Sequence, residues 1–194
     1  MTLAVAILLA AVALTVLAMA VVGYVGLVTG AVTIDTGWGR RTRPLGPLTV
    51  DINAAREDVY GLLVQPYLGP ATKALAEKVQ VLERSDGMVL AAHRTPVSGR
   101  LVAVTVETVT FTPVERIGFR LLRGPVPHVI EEFTLTDAPT GCRLHYQGEL
   151  GTDFGIIGAP WGRVVARVWH HTVSRTMTAV KTEAERRAGR VKGR

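Results

Sequence analysis

The first 34 residues of the chain carry no charged side chain, and Asp35 is the first charge. From Leu3 to Val28 nearly every residue is Ala, Val, Leu, Ile or Met. A helix that crosses a bilayer needs about 20 such residues, so this segment predicts one membrane-spanning helix. The alternative is a cleaved signal peptide, since Ala18-Met19-Ala20 has the small-x-small form of a cleavage site. No Lys or Arg precedes the apolar run, and the run continues beyond that site, which favours a retained anchor.

The charges after the span predict an orientation. Arg40, Arg41 and Arg43 follow it closely, with only Asp35 against them, and the positive-inside rule then places the C-terminal domain in the cytoplasm of a single-pass cell-membrane protein. The net charge is +6, and the basic residues cluster beside the span and in the tail. This distribution favours anionic lipid head groups as partners over nucleic acid, although the arginines of the linker can also serve only to keep it soluble. The oligomeric state stays open.

The sequence divides at residue 34 into an anchor and a single domain. We expect an anchor at 1–34, a basic juxtamembrane linker at 35–46, a folded domain at 47–188 and a basic tail at 189–194. The part after the anchor has the size of one ordinary domain. Cys142 is the only cysteine, which excludes an intramolecular disulfide and a zinc site built from several cysteines.

The domain shows a specific order of predicted elements. A strand at 48–52 precedes a helix with Asn53 as a candidate cap, and a short second helix is predicted from Pro70 to Ala76. Six further strands are predicted from period-two alternation, at Val79–Arg84, Met88–Arg94, Arg100–Phe111, Arg116–Leu122, Val126–Thr136 and Cys142–Leu150. After Pro160, apolar residues recur every three or four positions and predict a long amphipathic helix. Consecutive strands with short turns indicate an antiparallel meander.

Several motifs accompany this order. They are Val50-Asp51-Ile52-Asn53-Ala54 followed by Glu57-Asp58-Val59-Tyr60, then Glu132-Phe133-Thr134-Leu135, and Gly141-Cys142-Arg143-Leu144-His145-Tyr146. Together they resemble the SRPBCC or START-like helix-grip superfamily, which includes polyketide cyclase/dehydratase and Bet v 1-like proteins, over about residues 47 to 188. The resemblance implies an α+β helix-grip fold, in which a seven-stranded antiparallel sheet surrounds the long C-terminal helix and leaves a cavity for an apolar ligand.

Strand alternation indicates which side chains share a face. Phe133, Leu135, Leu144 and Tyr146 form the expected core set, and Glu131 has the same parity as the first two. The candidate cavity residues are Phe133, Leu144, Tyr146, Trp161 and Trp169. The candidate catalytic residues are Glu131, Arg120 and His93, because a buried carboxyl group needs a partner or a raised pKa, and a basic side chain from a preceding strand (Arg120, Arg94 or His93) can supply the partner. The alternative is that Glu131 lies in water or pairs structurally across the sheet.

Other site chemistries lack the patterns they need. His170 and His171 are adjacent on the last helix and point about 100° apart, and no His-x-x-x-His pair occurs, so we expect no metal site. The chain has no phosphate-binding loop and no nucleophile elbow, and we expect no cofactor.

Three functions remain. The leading one is membrane-tethered binding of an apolar or amphipathic small molecule, lipid-like or polyketide-like. The second is a polyketide cyclase or dehydratase type of enzyme acting through Glu131, Arg120, Tyr146 or His93. The third is an interaction protein that recruits partners to the membrane through its basic tail or its Gly26 and Gly30 face. The residues do not identify the ligand or the reaction.

Overall fold

The computed structural model describes residues 3–70, 77–98 and 101–192. Three helices and seven strands occur in these ranges. The helices are α1 (Leu3–Val28), α2 (Arg56–Leu68) and α3 (Gly155–Lys192). The strands are β1 (Arg41–Ile52), β2 (Val79–Ser85), β3 (Met88–Ser98), β4 (Leu101–Thr112), β5 (Arg116–Arg123), β6 (His128–Ala138) and β7 (Gly141–Thr152).

The seven strands form one antiparallel sheet in the order β1-β7-β6-β5-β4-β3-β2. Alternate residues of β6 are buried, namely Val129, Glu131, Phe133 and Leu135, as the period-two pattern predicts. Phe133 lies opposite Ile117 on β5 and Tyr146 on β7, so an apolar layer crosses the inner face of the sheet.

Helix α3 lies across the inner face and packs on β1, β7 and α2. Its buried residues, Val165, Val173, Met177 and Ala184, recur at helical spacing and form the stripe that faces the sheet. The predicted helix-grip architecture is therefore confirmed. The helix begins at Gly155 rather than after Pro160, which lies within its first two turns.

Three local predictions differ from the structure. Residues 41–46, expected to belong to the linker, are the first half of β1, where Arg41 lies opposite Thr152. A Pro-rich sequence is tolerated there because β1 is an edge strand, and a register shift between Leu45 and Leu48 places Gly46 at a φ of +85°. Helix α2 begins after Ala55 rather than at a cap on Asn53. The predicted helix at 70–76 falls almost entirely outside the described residues.

Asp153, two residues before α3, orders the linker before β1. Its carboxylate accepts hydrogen bonds from the amides of Thr36 (2.7 Å) and Gly37 (2.8 Å) and from Nε of Arg40 (2.8 Å). The side chain is only 1% exposed. These donors stabilise the charged form and hold the pKa of Asp153 well below its ordinary value, Arg40 contributing most. The segment between α1 and β1 is therefore attached to the domain.

Helix α1 is a single apolar helix of 26 residues; its most apolar stretch of 18 residues has a mean hydropathy of 2.9, and none of the residues in that stretch is buried. Its length and composition are sufficient to cross a bilayer. Only Val28, in its last turn, is buried against the domain.

Candidate ligand-binding site

A cavity of about 550 Å³ lies between α3 and the inner face of the sheet. Its lining is mostly apolar and aromatic: α3 contributes Trp161, Val165, Trp169 and Val173, and the sheet contributes Phe119 and Phe133. Helix α3 packs on the β1 and β7 side of the sheet, which leaves the cavity against β3, β4, β5 and β6. The volume falls in the range of about 300–1,000 Å³ typical of small-molecule sites.

A buried carboxyl group projects into this cavity from β6. Oε2 of Glu131 accepts hydrogen bonds from the hydroxyl of Tyr146 (2.5 Å) and from Nε1 of Trp169 (2.6 Å). Among the described residues, no donor reaches Oε1 of Glu131, so that oxygen is available to a ligand. Burial raises the pKa of Glu131 to about 7, and nearby Glu107 adds to this effect. At neutral pH the group can therefore both give and accept a proton.

A second polar group faces the same cavity from β3 and β4. Nδ1 of His93 lies 3.1 Å from Oε2 of Glu107, and Nε2 of His93 lies 2.9 Å from the hydroxyl of Tyr67 on α2. Burial lowers the pKa of His93, but Glu107 outweighs this effect and leaves the pKa above its ordinary value. Burial, together with Glu107 and Glu131, raises the pKa of Tyr67. Two buried carboxyl groups and one imidazole thus share an apolar chamber.

Local sequence explains how Glu131 is accommodated. Glu131 lies opposite Gly148 on β7, where a Cβ atom would lie 2.6 Å from the Cβ of Glu131. A side chain at that position would displace the β6 backbone or the carboxyl group. Gly148 therefore provides the space in which Glu131 reaches Tyr146 and Trp169.

The structure separates the sequence-predicted residues into two groups. Phe133, Trp161 and Trp169 line the cavity, as do Glu131 and His93. Leu144 and Tyr146 are fully buried in the core and do not line it, although Tyr146 reaches Glu131 through its hydroxyl.

The two arginines proposed as partners of Glu131 do not contact it. Arg120 follows Phe119, which lies opposite Glu131, and the next residue of a strand points to the other face. Arg120 accordingly borders a shallow groove on the outer face of the sheet. Arg94 lies at the cavity rim, is exposed and donates a hydrogen bond to Gln80.

Sequence reasoning missed Glu107, Tyr67 and Tyr24. Glu107 has a visible signal, because it occupies an inward position of β4 in register with buried Ala103, Thr105 and Val109. Tyr67 lies next to Pro66 in a segment that looks like a helix end, and nothing local indicates that its hydroxyl reaches His93. Tyr24 belongs to the apolar span, yet it lines the cavity.

The remaining reactive side chains do not form a site. Cys142 is buried, and burial raises the pKa of its thiol. His170 and His171 are exposed on α3. In the part of the chain that the structure describes, no three His, Cys, Asp or Glu side chains are grouped to hold a metal ion.

Comparisons with solved structures identify the fold. The Zhui aromatase/cyclase from Streptomyces sp. R1128 superposes with a TM-score of 0.60 at 20% identity, over 77% of this chain and 96% of that one. A START superfamily protein from Mycobacterium smegmatis gives a TM-score of 0.52 at 17% identity, over 76% and 97% of the two chains.

The di-domain aromatase/cyclase BexL gives a TM-score of 0.54 at 21% identity, over 76% of this chain and 49% of BexL. No protein-family model matches the sequence, and no curated protein matches it significantly. Identities this low specify the architecture and not the reaction. The order of elements, the sheet topology and these superpositions show that the chain has the SRPBCC/START-like helix-grip fold.

Proposed function

We propose that this protein binds an apolar or amphipathic small molecule in the cavity between α3 and the sheet. The observation that carries this proposal is the cavity itself, about 550 Å³ in volume and lined chiefly by apolar and aromatic side chains. A space of this size in a close-packed domain loses packing contacts, and a ligand of matching shape restores them. The similarity to aromatase/cyclase and START superfamily structures supports the same proposal.

The polar groups define the chemistry of the ligand. A purely apolar molecule leaves the free oxygen of Glu131 without a partner, which is costly in an apolar chamber. A ligand with one hydroxyl or carbonyl group beside an apolar body satisfies Glu131 and fills the remaining space. We therefore favour an amphipathic ligand with a single polar group placed at Glu131.

We further propose that α1 holds the domain at the membrane, with the domain on the cytoplasmic side. The apolar length of α1 supports a spanning role. Arg41 and Arg43 follow it and support the cytoplasmic orientation. Arg40 contributes less to that orientation, because Asp35 and Asp153 neutralise it.

Binding is tested with the full chain extracted in detergent from alkali-washed membranes. Native mass spectrometry is expected to show about one small-molecule adduct per chain, and denaturing extraction then identifies it. Thr172, which lines the cavity, is changed to Trp so that the indole ring fills the space. We expect the amount of adduct per chain to be at least about fivefold lower in Thr172→Trp than in the wild type, because the indole ring occupies the volume that the ligand needs.

Thr178→Trp is the matched control. Thr172 and Thr178 lie on the same helix, and each hydroxyl donates to the carbonyl four residues earlier, but only Thr172 lines the cavity. Retention in Thr178→Trp should equal that of the wild type. Equal retention in both variants, or a wild type recovered without any adduct, would contradict the binding proposal.

The second candidate function is catalysis of the cyclase or dehydratase type. A specific observation favours it: Glu131 combines burial, a pKa of about 7 and an oxygen free to meet a ligand carbonyl or hydroxyl group. The Glu131 carboxylate can take a proton from the carbon next to the hydroxyl-bearing carbon and return it to the leaving hydroxyl group, so that a carbon–carbon double bond forms, the carbon–oxygen bond breaks, water is released and the carboxylate is regenerated. Arg120 has no part in this proposal because it lies on the outer face.

Glu131→Gln distinguishes catalysis from binding. The amide oxygen of Gln still accepts the two hydrogen bonds, but the side chain cannot exchange a proton, so the variant binds and does not react. If the protein is an enzyme of this type, the molecule recovered from Glu131→Gln should exceed the wild-type molecule by one water in mass. Identical molecules from both proteins would leave binding as the function and count against catalysis.

A further inference from the structure

The residues that follow α1 attach this helix to the domain at one end of the cavity. The carbonyl oxygen of Thr29 accepts a hydrogen bond from the amide of Val104 on β4 (2.9 Å). The hydroxyl of Thr33 donates to the carbonyl of Gly124 (2.7 Å) and accepts from its amide (2.9 Å). Gly30 has a φ of +68°, and a Cβ there would collide with the carbonyl of Val104, so the chain leaves α1 in close contact with the sheet.

Two side chains of α1 form part of the cavity wall. Tyr24 and Val28 are one turn apart on the helix, and both line the cavity. The ring of Tyr24 meets that of Trp161 edge to face, with centroids 6.4 Å apart. Val28 is 7% exposed, whereas Tyr24 is 57% exposed. Tyr24 therefore has one side toward the cavity and the other toward the surroundings of α1.

An exposed apolar stripe on α3 begins at the same place. Ile157, Trp161, Val164 and Val168 recur at spacings of four, three and four residues and thus share one helix face. Val164 and Val168 line the cavity and are nevertheless 49% and 37% exposed, so the cavity opens along this face. Ile157, one turn before Trp161, is 79% exposed. Exposure of this apolar stripe to water is unfavourable, whereas contact with lipid is favourable.

We propose that the cavity exchanges its ligand sideways with the bilayer, through the opening between Tyr24 and Val28 of α1 and the Trp161–Val168 face of α3. This inference rests on the proposed binding function and the proposed span. Tyr24 lies one turn before Val28, about 6 Å further from the domain along the axis of α1. This is the level at which a span meets the head groups, where tyrosine is common. The ligand is accordingly an amphiphile dissolved in the membrane, and it reaches the cavity without crossing water.

The test uses the full chain in phosphatidylcholine nanodiscs and a fatty acid that carries a diazirine on its chain. The protein is equilibrated with this probe, excess oleic acid is added, and samples are irradiated at intervals. Mass spectrometry counts the crosslinks on Phe133, Val165 and Val173, which line the cavity and are buried, so that probe in the surrounding lipid does not reach them. Crosslinks before the chase report binding, and their decay reports the exchange rate.

Tyr24→Ala removes the ring at the opening and is expected to speed the decay at least threefold. Val28→Trp narrows the opening and is expected to slow it at least threefold. Val22→Ala is the matched control for the first variant, since Val22 is 72% exposed on α1 and does not line the cavity, and it should decay at the wild-type rate. Because Tyr24 is more than half exposed, we expect Tyr24→Ala to fold. The test can therefore be completed with this variant if Val28→Trp fails to fold.

The possible failures are distinguishable. Wild-type decay in Tyr24→Ala, with normal crosslinking before the chase, would overturn the lateral route and leave the binding function intact. Equal acceleration in Val22→Ala and Tyr24→Ala would overturn it too, because the effect would then belong to the span in general. Absence of cavity crosslinks in the wild type before the chase would overturn the binding function and this inference with it.

Discussion

Glu131 is a carboxyl group that folding places in an environment where its charge is costly. Tyr146 and Trp169 reduce this cost by donating two hydrogen bonds to one oxygen, yet burial and the second carboxyl group, Glu107, outweigh them. The raised pKa means that the folded protein holds the proton more tightly than the unfolded chain does. Stability is therefore linked to pH through this residue.

We expect Glu131→Gln to remove one part of the pH dependence of stability. Between the ordinary value of 4.5 and the folded value of about 7, the folded state binds more protons than the unfolded state, so stability falls as the pH rises through this window. The amide of the Glu131→Gln variant binds no proton in this window, so the variant does not lose this stability. Thermal or urea unfolding should show that the variant gains a few kcal/mol relative to the wild type between pH 4.5 and pH 7, since one pKa unit corresponds to about 1.4 kcal/mol.

Glu132→Gln provides the control for this experiment. Glu132 is the neighbouring residue, points to the outer face and bonds to the side chain of Gln147. Its stability profile should run parallel to that of the wild type over the same pH window. A constant difference between Glu131→Gln and the wild type across the window would contradict the assigned pKa shift.

At the residue scale, strand parity predicts part of the site. Period-two alternation is enough to place Glu131 on the same face as Phe133, because register on a half-buried sheet is strongly specified. It does not predict Trp169 as a donor to Glu131, since that contact joins residues 38 positions apart through the packing of α3 on the sheet. The pairing with Arg120 is wrong for a local reason, because adjacent strand residues point to opposite faces.

At the element scale, residues 36–40, the second part of the connection from α1 to β1, are held by one side chain. Asp153 binds the backbone of Thr36 and Gly37 and the guanidinium of Arg40. A sequence rich in Gly and Pro predicts a loop for this region, and the structure shows an ordered segment followed by a longer β1. Residues 36–40 are a loop, as expected, and only 41–46 are strand instead; the sequence does not indicate that the loop is held to the domain, because its partner lies more than 110 residues away.

Asp153→Asn is expected to destabilise the domain at neutral pH by about 2–3 kcal/mol, because the substitution removes a buried charge that receives several hydrogen bonds. The depressed pKa of Asp153 means that its contribution is complete above the ordinary value of 3.8 and is lost as the pH falls through the lower folded value. Chemical unfolding at pH 7 measures the difference. Asp137→Asn serves as the control, since that side chain is 78% exposed, and its cost should stay within about 0.5 kcal/mol. Equal costs for the two substitutions would show that Asp153 is not a structural anchor.

At the scale of the whole molecule, the order of elements predicts the architecture. Six alternating strands, a long amphipathic helix and an opening strand allow few arrangements, because consecutive antiparallel strands pair with their neighbours and the helix must cover one face of the sheet. The cavity was expected only by resemblance, since its volume depends on which side of the sheet α3 covers. Nothing in the sequence indicates that α1 contributes to the cavity wall, because Tyr24 and Val28 fit the apolar run as well as its other residues do.

For the membrane-spanning α1 that we propose, the attachments at Thr29, at Thr33 and, through residues 36–40, at Asp153 also fix how the domain diffuses. A long flexible tether lets a domain tumble above the membrane and sample every orientation, whereas these short attachments couple the domain to the tilt of its own helix. The cavity opening then keeps one depth relative to the bilayer and one direction around the axis of α1. Encounters with molecules in the same leaflet become collisions in a plane, governed by surface density rather than by bulk concentration.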